Sequence, residues 1–308
     1  MAVANFDRAQ TTLGRFLAPN LFFRASKIVT SLRQLSQGQL DLAQAATATS
    51  LNSARLSLEQ AKINFSLAAI ELAKPRPRLA FLAPLAAQAD QSLELASDAE
   101  NLIKLSQQLF AGPKKTYLIL LQNSGELRPT GGFIEAIGLL TVESGKLLDL
   151  EFIPVYTADS QLQGQVEPPL PIKTHLNQTG WYLRDSNWDP DFPNSARQAE
   201  WFIGKEFNRP LAGTLAVNLY FLRDLLKILG PLEVDTLDQT LTADNLFDRI
   251  QHFRQPELLT LIFQALSTKI TKVAFPDRGK LVSALIDSLR QRQLLIAPLD
   301  PQAAALVA

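Results

Sequence analysis

At Gly112-Pro113 the spacing of apolar residues changes, and no other feature limits more tightly what this chain can fold into. Upstream, Leu51, Ala54, Leu58, Ala61, Phe65, Ala68 and Leu72 recur at steps of three and four, the seam of a helix packed along its length. Ile28, Leu32, Leu35, Leu42 and Ala46 carry a looser version, weakened at Gly38. Lys74-Pro-Arg-Pro-Arg78 must break the helix, because proline lacks an N–H and restricts the residue before it. A second seam follows at Ala89, Leu93, Ala96, Ala99, Ile103 and Phe110. The expectation for residues 1–112 is therefore a long antiparallel helical hairpin closed by a proline turn. Its alanine-rich seam allows close approach but buries little area. That suits a stalk, or a docking surface for a protein partner, better than a catalytic core.

Downstream the period becomes extended. Tyr117–Leu121 is a short continuous apolar run, as in a strand buried on both faces. Phe133–Val142 and Lys146–Val155 flank the polar glycine turn Glu143-Ser-Gly-Lys146 and read as a β-hairpin. Thr157–Thr179 has no period and reads as a long surface loop. Trp181–Arg184 reads as a strand, Ser195–Phe207 as a helix, and Leu211–Asn218 as a strand. Phe221–Leu229 is a helix stopped by Gly230-Pro231, and Leu232–Val234 a short strand. Thr242 can cap a helix from Ala243, Lys280–Arg290 is amphipathic, and Leu294–Ala297 is apolar again. Alternating strands and helices over 113–308 predict an α/β (α+β) sandwich around a mixed central sheet.

Charge and composition remove several functions. The 30 basic and 30 acidic residues cancel, so no net field draws nucleic acid. With no cysteine there is no disulfide, thiolate metal site or cysteine nucleophile, and two distant histidines make a poor zinc site. The first residues, MAVANFDRAQ, do not read as a secretory signal. No stretch reaches the roughly 18–20 apolar residues of a spanning helix. No histidine or glycine elbow accompanies Ser195, so serine hydrolysis is disfavoured.

Two stretches could carry chemistry. In LQNSGELRPTGGF (121–133), strand geometry would put Glu126 and Arg128 on one side. One reading is a local ion pair bracing a turn, worth under about 1 kcal/mol when exposed. The other makes Arg128 an anion ligand held by Glu126, with Gly131 and Gly132 letting backbone N–H groups approach the anion. In LRDSNWDPDFPNSARQ (183–198), Asp185, Asp189 and Asp191 fall within seven residues, before a helix that Asn194 or Ser195 could cap. Clustered oxygen ligands suit Mg²⁺ or Ca²⁺, although D-x-x-x-D-x-D lacks the glycine and distal glutamate of a calcium-loop helix pair, whereas ordinary turn chemistry explains the same acids without metal. Trp181, Trp188 and Trp201 could line a sugar or lipid pocket, or be core rings.

These stretches, with LAGTLAVN (211–218) running on to LGPLEV (229–234), resemble the bacterial domain of unknown function numbered 4012. The similarity covers about residues 113–250. It implies an envelope protein on the extracytoplasmic face, in which an N-terminal membrane helix precedes a helical segment and this α/β domain. Membrane association would then run through a segment absent from this chain. The final DPQAAALVA reads as a helix just starting, consistent with a longer parent.

More remotely, the order of elements is similar to that of LytR-CpsA-Psr proteins, which move glycopolymers from polyprenyl pyrophosphate to peptidoglycan. That similarity implies Arg128, Arg184 and Asp185 as catalytic residues, with the arginines on pyrophosphate. Glu126, Gly131, Gly132, Asn187 and Trp188 would bind ligand, and Asp185, Asp189 and Asp191 would hold Mg²⁺. Their arginine-rich motifs are not reproduced residue by residue. Two expectations stand: a binding or structural module for envelope glycan or protein, and a Mg²⁺-dependent phosphotransferase on a polyprenyl-pyrophosphate-linked glycan.

Overall fold

The computed structural model describes residues 2–16, 19–48, 50–74, 81–234, 237, 239–252, 257–270 and 278–307. They divide into two compact units, Met1–Ile103 and Lys104–Ala308.

The first unit is helical, with α1 (Ala2–Phe16), α2 (Pro19–Thr47), α3 (Leu51–Leu72) and most of α4 (Ala83–Phe110). A capping box starts α3: Ser50 Oγ accepts the Ser53 N–H, and Ser53 Oγ accepts the Ser50 N–H. The seam expected from the sequence is the buried face, with Ala54, Leu58, Ala61, Phe65, Ala68 and Leu72 all in the core. Gly38, a weak point for helix propensity, is where α2 admits a ring: a Cβ there would stand 2.7 Å from Phe65 Cε1. Buried Asp41 accepts from Gln37 Nε2 at 3.0 Å and from Asn64 Nδ2 at 2.8 Å. The pair with interlocking side chains is thus α2 and α3, joined across residues 48–50. Lys62 of α3 reaches Glu100 of α4 at 2.6 Å. The expected proline turn falls on residues 75–80, outside the described residues.

In the second unit, β1 (Lys115–Asn123), β2 (Phe133–Glu143), β3 (Lys146–Pro154), β4 (Gly213–Asn218) and β5 (Leu294–Pro298) form one mixed sheet, ordered β3-β2-β1-β4-β5. Only β1 and β4 run parallel; the other neighbours are antiparallel. The β2–β3 hairpin turns through Ser144 and Gly145, both at positive φ, which matches the twist of the strands it joins.

Helices cover both faces. On one, Leu118, Leu120, Ile137 and Leu139 pack with Val155 and Ala158 of α5 (Val155–Asp159) and with Ala199, Phe202 and Ile203 of α7 (Phe192–Phe207). On the other, Leu121, Ala136 and Val217 meet α8 (Leu219–Leu229), α9 (Leu246–His252), α10 (Leu258–Ile270) and, at its edge, α11 (Arg278–Arg290). The unbroken apolar run of β1 follows from this double cover. The remaining short helices are α6 (Leu170–His175) and α12 (Pro301–Ala304). The architecture is the α/β sandwich expected from the alternating elements.

Three local expectations change. Trp181–Arg184 is no strand; Leu183–Asp185 forms a 3₁₀ turn, with the Ser186 N–H donating to Leu183 O. That turn sinks Leu183 into the core while Arg184 and Asp185 reach charged partners. The stretch 157–179 contains the end of α5 and all of α6, whose first turn uses Pro171 where no N–H is needed. Leu232–Val234 contributes a single bridge, Leu232 to Leu241, instead of a strand. Among the described residues no helix is long and apolar enough to cross a membrane.

Candidate functional site

The loop after β1 is built to stay in place. Asn123 Oδ1 accepts the Gly125 N–H at 2.8 Å, an Asx turn at the strand end. The Gly131 N–H donates to Arg128 O at 3.1 Å, and the Phe133 N–H to Glu126 O at 2.9 Å. Both glycines have positive φ, +124° at Gly131 and +148° at Gly132. A Cβ on Gly132 would lie 2.2 Å from Asn123 O, and one on Gly131 would lie 2.9 Å from Gln122 Oε1. The glycine pair therefore lets the loop press on the end of β1. The Gly131 N–H is committed within the loop and does not address an anion.

Thr130 joins this loop to the second signature. Its Oγ1 accepts from Gln122 Nε2 at 2.7 Å and from Asn187 Nδ2 at 2.9 Å, and the same Asn187 amide donates to Gly132 O at 2.8 Å. All three side chains are buried. Asn187 is thus a structural link between the two loops.

Glu126 and Arg128 do not pair with each other. Glu126 is exposed and lies towards Glu135. Burial holds the Glu135 carboxyl above its usual range; the 2.6 Å hydrogen bond from Asn123 Nδ2 opposes that shift and the charge of Glu126 adds to it. Arg128 Nη2 instead reaches Asp185 Oδ1 at 3.1 Å, and its Nη1 donates to Leu127 O.

Asp185, only 3% exposed, is the hub of the site. Its second oxygen lies 3.7 Å from Arg184 Nε, while Arg184 Nη1 reaches Asp159 Oδ2 at 2.7 Å. The result is a chain, Arg128–Asp185–Arg184–Asp159, of two cations and two anions. Aromatic faces flank it: Arg184 lies over Tyr182 at 4.1 Å and Tyr156 at 5.5 Å, and Arg128 over Phe133 at 5.2 Å. Burial pushes the Asp159 carboxyl up, against the pull of Arg184.

The other acids lie apart from this chain. Asp189 Oδ1 accepts the Asp191 N–H at 2.9 Å, and Ser195 Oγ donates to Asp189 O. Asp191 is the N-cap residue of α7 and is exposed; its side chain makes no cap bond. Asn194 and Ser195, expected as caps, lie inside the first turn, because the helix begins at Phe192. Among the described residues, no three acidic or histidine side chains gather as a metal-ligand set. The Asp185–Asp189–Asp191 trio expected to hold Mg²⁺ is thereby dispersed: one member serves two arginines and the others shape a turn.

Of the tryptophans, Trp181 and Trp201 set their edges against Phe202, at 5.1 and 5.0 Å between centroids. Trp181 also donates through Nε1 to Asp185 O, and Trp188 is half-buried. Sequence reasoning missed Asp159, Tyr156, Thr130 and Gln122. Tyr156 and Asp159 are spaced i, i+3, a helical signal that the neighbouring Pro- and Gln-rich loop obscured.

Residues 112–253 match the family described as "protein of unknown function (DUF4012)". The similarity to DUF4012 spans this stretch. Both signature loops, β1 to α8 and the arginine–aspartate chain lie inside the DUF4012 match. Searches of curated proteins and of solved structures return no match.

Proposed function

We propose that this DUF4012-like domain is a non-catalytic binding or structural module on the extracytoplasmic face of a bacterial envelope, holding glycan or protein at the surface around Arg128 and Arg184. The observation that carries this reading is the neutrality of the charged chain. Each guanidinium is already committed to a carboxylate, so little cationic charge is left for a diphosphate. Next to it lie ring faces and apolar surface suited to a hydroxylated or protein ligand, with Tyr156 54% and Leu127 89% exposed.

One observation favours the phosphotransferase alternative: both arginines converge on Asp185, so a pyrophosphate displacing that carboxylate would meet both at once. That reading also needs a cation site, for which the dispersed aspartates give no support.

Calorimetric titration with neutral peptidoglycan fragments, and separately with geranyl pyrophosphate with and without Mg²⁺, decides between them. The module reading expects glycan binding that Arg184→Ala weakens about tenfold or more, and no Mg²⁺-dependent diphosphate binding. Mg²⁺-dependent binding of geranyl pyrophosphate, abolished by Arg128→Ala and Arg184→Ala, would replace it with the enzyme reading.

A further inference from the structure

Helix α3 carries a second apolar line that the packing of its own unit does not use. Leu56, Gln60, Ile63, Leu67 and Ile70 follow one another at steps of four, three, four and three. At about 100° per residue, this line runs on the side of the helix opposite the buried seam of Leu58, Phe65 and Leu72. Its four aliphatic side chains are between 46% and 63% exposed, so no described element covers them. Apolar residues scattered singly over a surface need no explanation, but a continuous line along a helix does. Its narrow spacing is that of a seam for one further helix, because a helix facing a globular core carries a wider apolar stripe.

The surroundings of the line select the partner. Beside it stand Ser57, Glu59, Ser66 and Glu71, and no flanking position holds a lysine, an arginine or an aromatic residue. A helix that lies on an anionic membrane relies on those residues. Glu59 lies 3.6 Å from Arg55, one turn back, and Glu71 bonds Lys74, so the flanks are neutral. Two copies therefore approach without like-charge repulsion, whereas a strongly charged partner gains nothing. Gln60 points the same way. Lipid, or a wholly apolar partner, would leave its amide without a bond. A second copy laid parallel and in register brings another Gln60 to the same level, where each amide can donate to the other.

We propose that α3 is a self-association seam, on which a second copy of this chain docks its own α3 parallel and in register. The seam belongs to the helical unit and does not rest on the function proposed for the α/β domain, so a failure to bind glycan leaves it standing. Four half-exposed side chains offer a few hundred Å² per copy, against roughly 800 Å² per partner in a standard interface. The association is therefore weak, with a dissociation constant on the order of micromolar or above.

Sedimentation velocity of the full chain between about 5 and 500 µM is the test. Wild type is expected to move from one chain towards two as concentration rises. Ile63→Lys, which sets a charge on an exposed position, should stay monomeric with an unchanged melting temperature. Because the chain has no cysteine, Gln60→Cys introduces a single thiol that should form a disulfide between copies on oxidation. Gln88→Cys, on the exposed side of α4, should not. A wild type that remains monomeric, an Ile63→Lys variant that associates as strongly, or equal cross-linking of the two cysteine variants would each overturn the seam. A monomer that instead sediments with phosphatidylglycerol vesicles, and no longer does so as Ile63→Lys, would overturn it in favour of a lipid surface.

Discussion

Arg128 and Asp185 lie 57 positions apart in the chain and meet at 3.1 Å, with Asp185 almost wholly buried. This contact ties the two family signatures together. Removing one partner of a buried pair leaves the other charge without compensation, at a cost of about 3–5 kcal/mol when burial is complete. Arg128 is partly exposed, so Arg128→Ala should cost about 2 kcal/mol, and Asp185→Asn more, because Asp185 serves two arginines. A double-mutant cycle by chemical denaturation reads the coupling; additivity within about 0.5 kcal/mol would mean the contact is not formed in solution.

Thr130 offers a separate test. Thr130→Val keeps the shape but strands the Gln122 amide and leaves Asn187 Nδ2 only its bond to Gly132 O, an expected loss of about 2 kcal/mol. Thr130→Ser, which keeps the oxygen, should lose less than half as much. Equal losses for the two variants in thermal unfolding would make packing, and not the hydrogen bonds, the function of this residue.

The glycine pair predicts an asymmetry within one molecule. Gly132→Ala would bring a carbon to 2.2 Å from Asn123 O, where only backbone can give way, so loss of folded protein is expected. Gly145→Ala meets open space and is charged only for its positive φ, about 1–2 kcal/mol. Melting temperatures of the two variants, measured side by side, check this; a Gly132→Ala protein as stable as Gly145→Ala would contradict the packing.

Tyr117 carries a pH prediction. Its hydroxyl donates to Leu109 O at 2.6 Å, and burial, with a smaller contribution from Asp300, pushes the phenol up to about 12. A raised folded value means that the stabilisation is complete below the ordinary value of 10.0 and is lost as pH rises through about 12. Ultraviolet titration should therefore find a tyrosine step at about 12, and Tyr117→Phe should remove that step.

Much of this fold was legible because periodicity reports burial. The α3 seam, the unbroken run of β1, the β2–β3 hairpin and the Gly230 stop of α8 all follow from local spacing. The site was legible only in part. Arg128, Arg184 and Asp185 stand out by charge, yet their partners depend on tertiary placement: Asp185 replaces Glu126 as the partner of Arg128, and Asp159 arrives on a helix of five residues. The packing that the glycines permit depends on the fold, which sets Asn123 O behind Gly132 and Gln122 Oε1 behind Gly131. The spacing of the aspartate trio does not say whether the acids gather, because turn-forming acids and metal-binding acids share it; among the described residues no such group forms.

The parallel pairing of β1 with β4, from Leu118 opposite Thr214 to Gln122 opposite Asn218, has a cost during synthesis. On the ribosome, β2 emerges soon after β1 and covers one of its edges, but β4 emerges only after the whole of α7. Until then a strand buried on both faces in the folded domain keeps an open edge, the kind of surface on which nascent chains misassemble. A product ending before β4 should therefore depend on a chaperone to stay dispersed, whereas one extending through β5 should not.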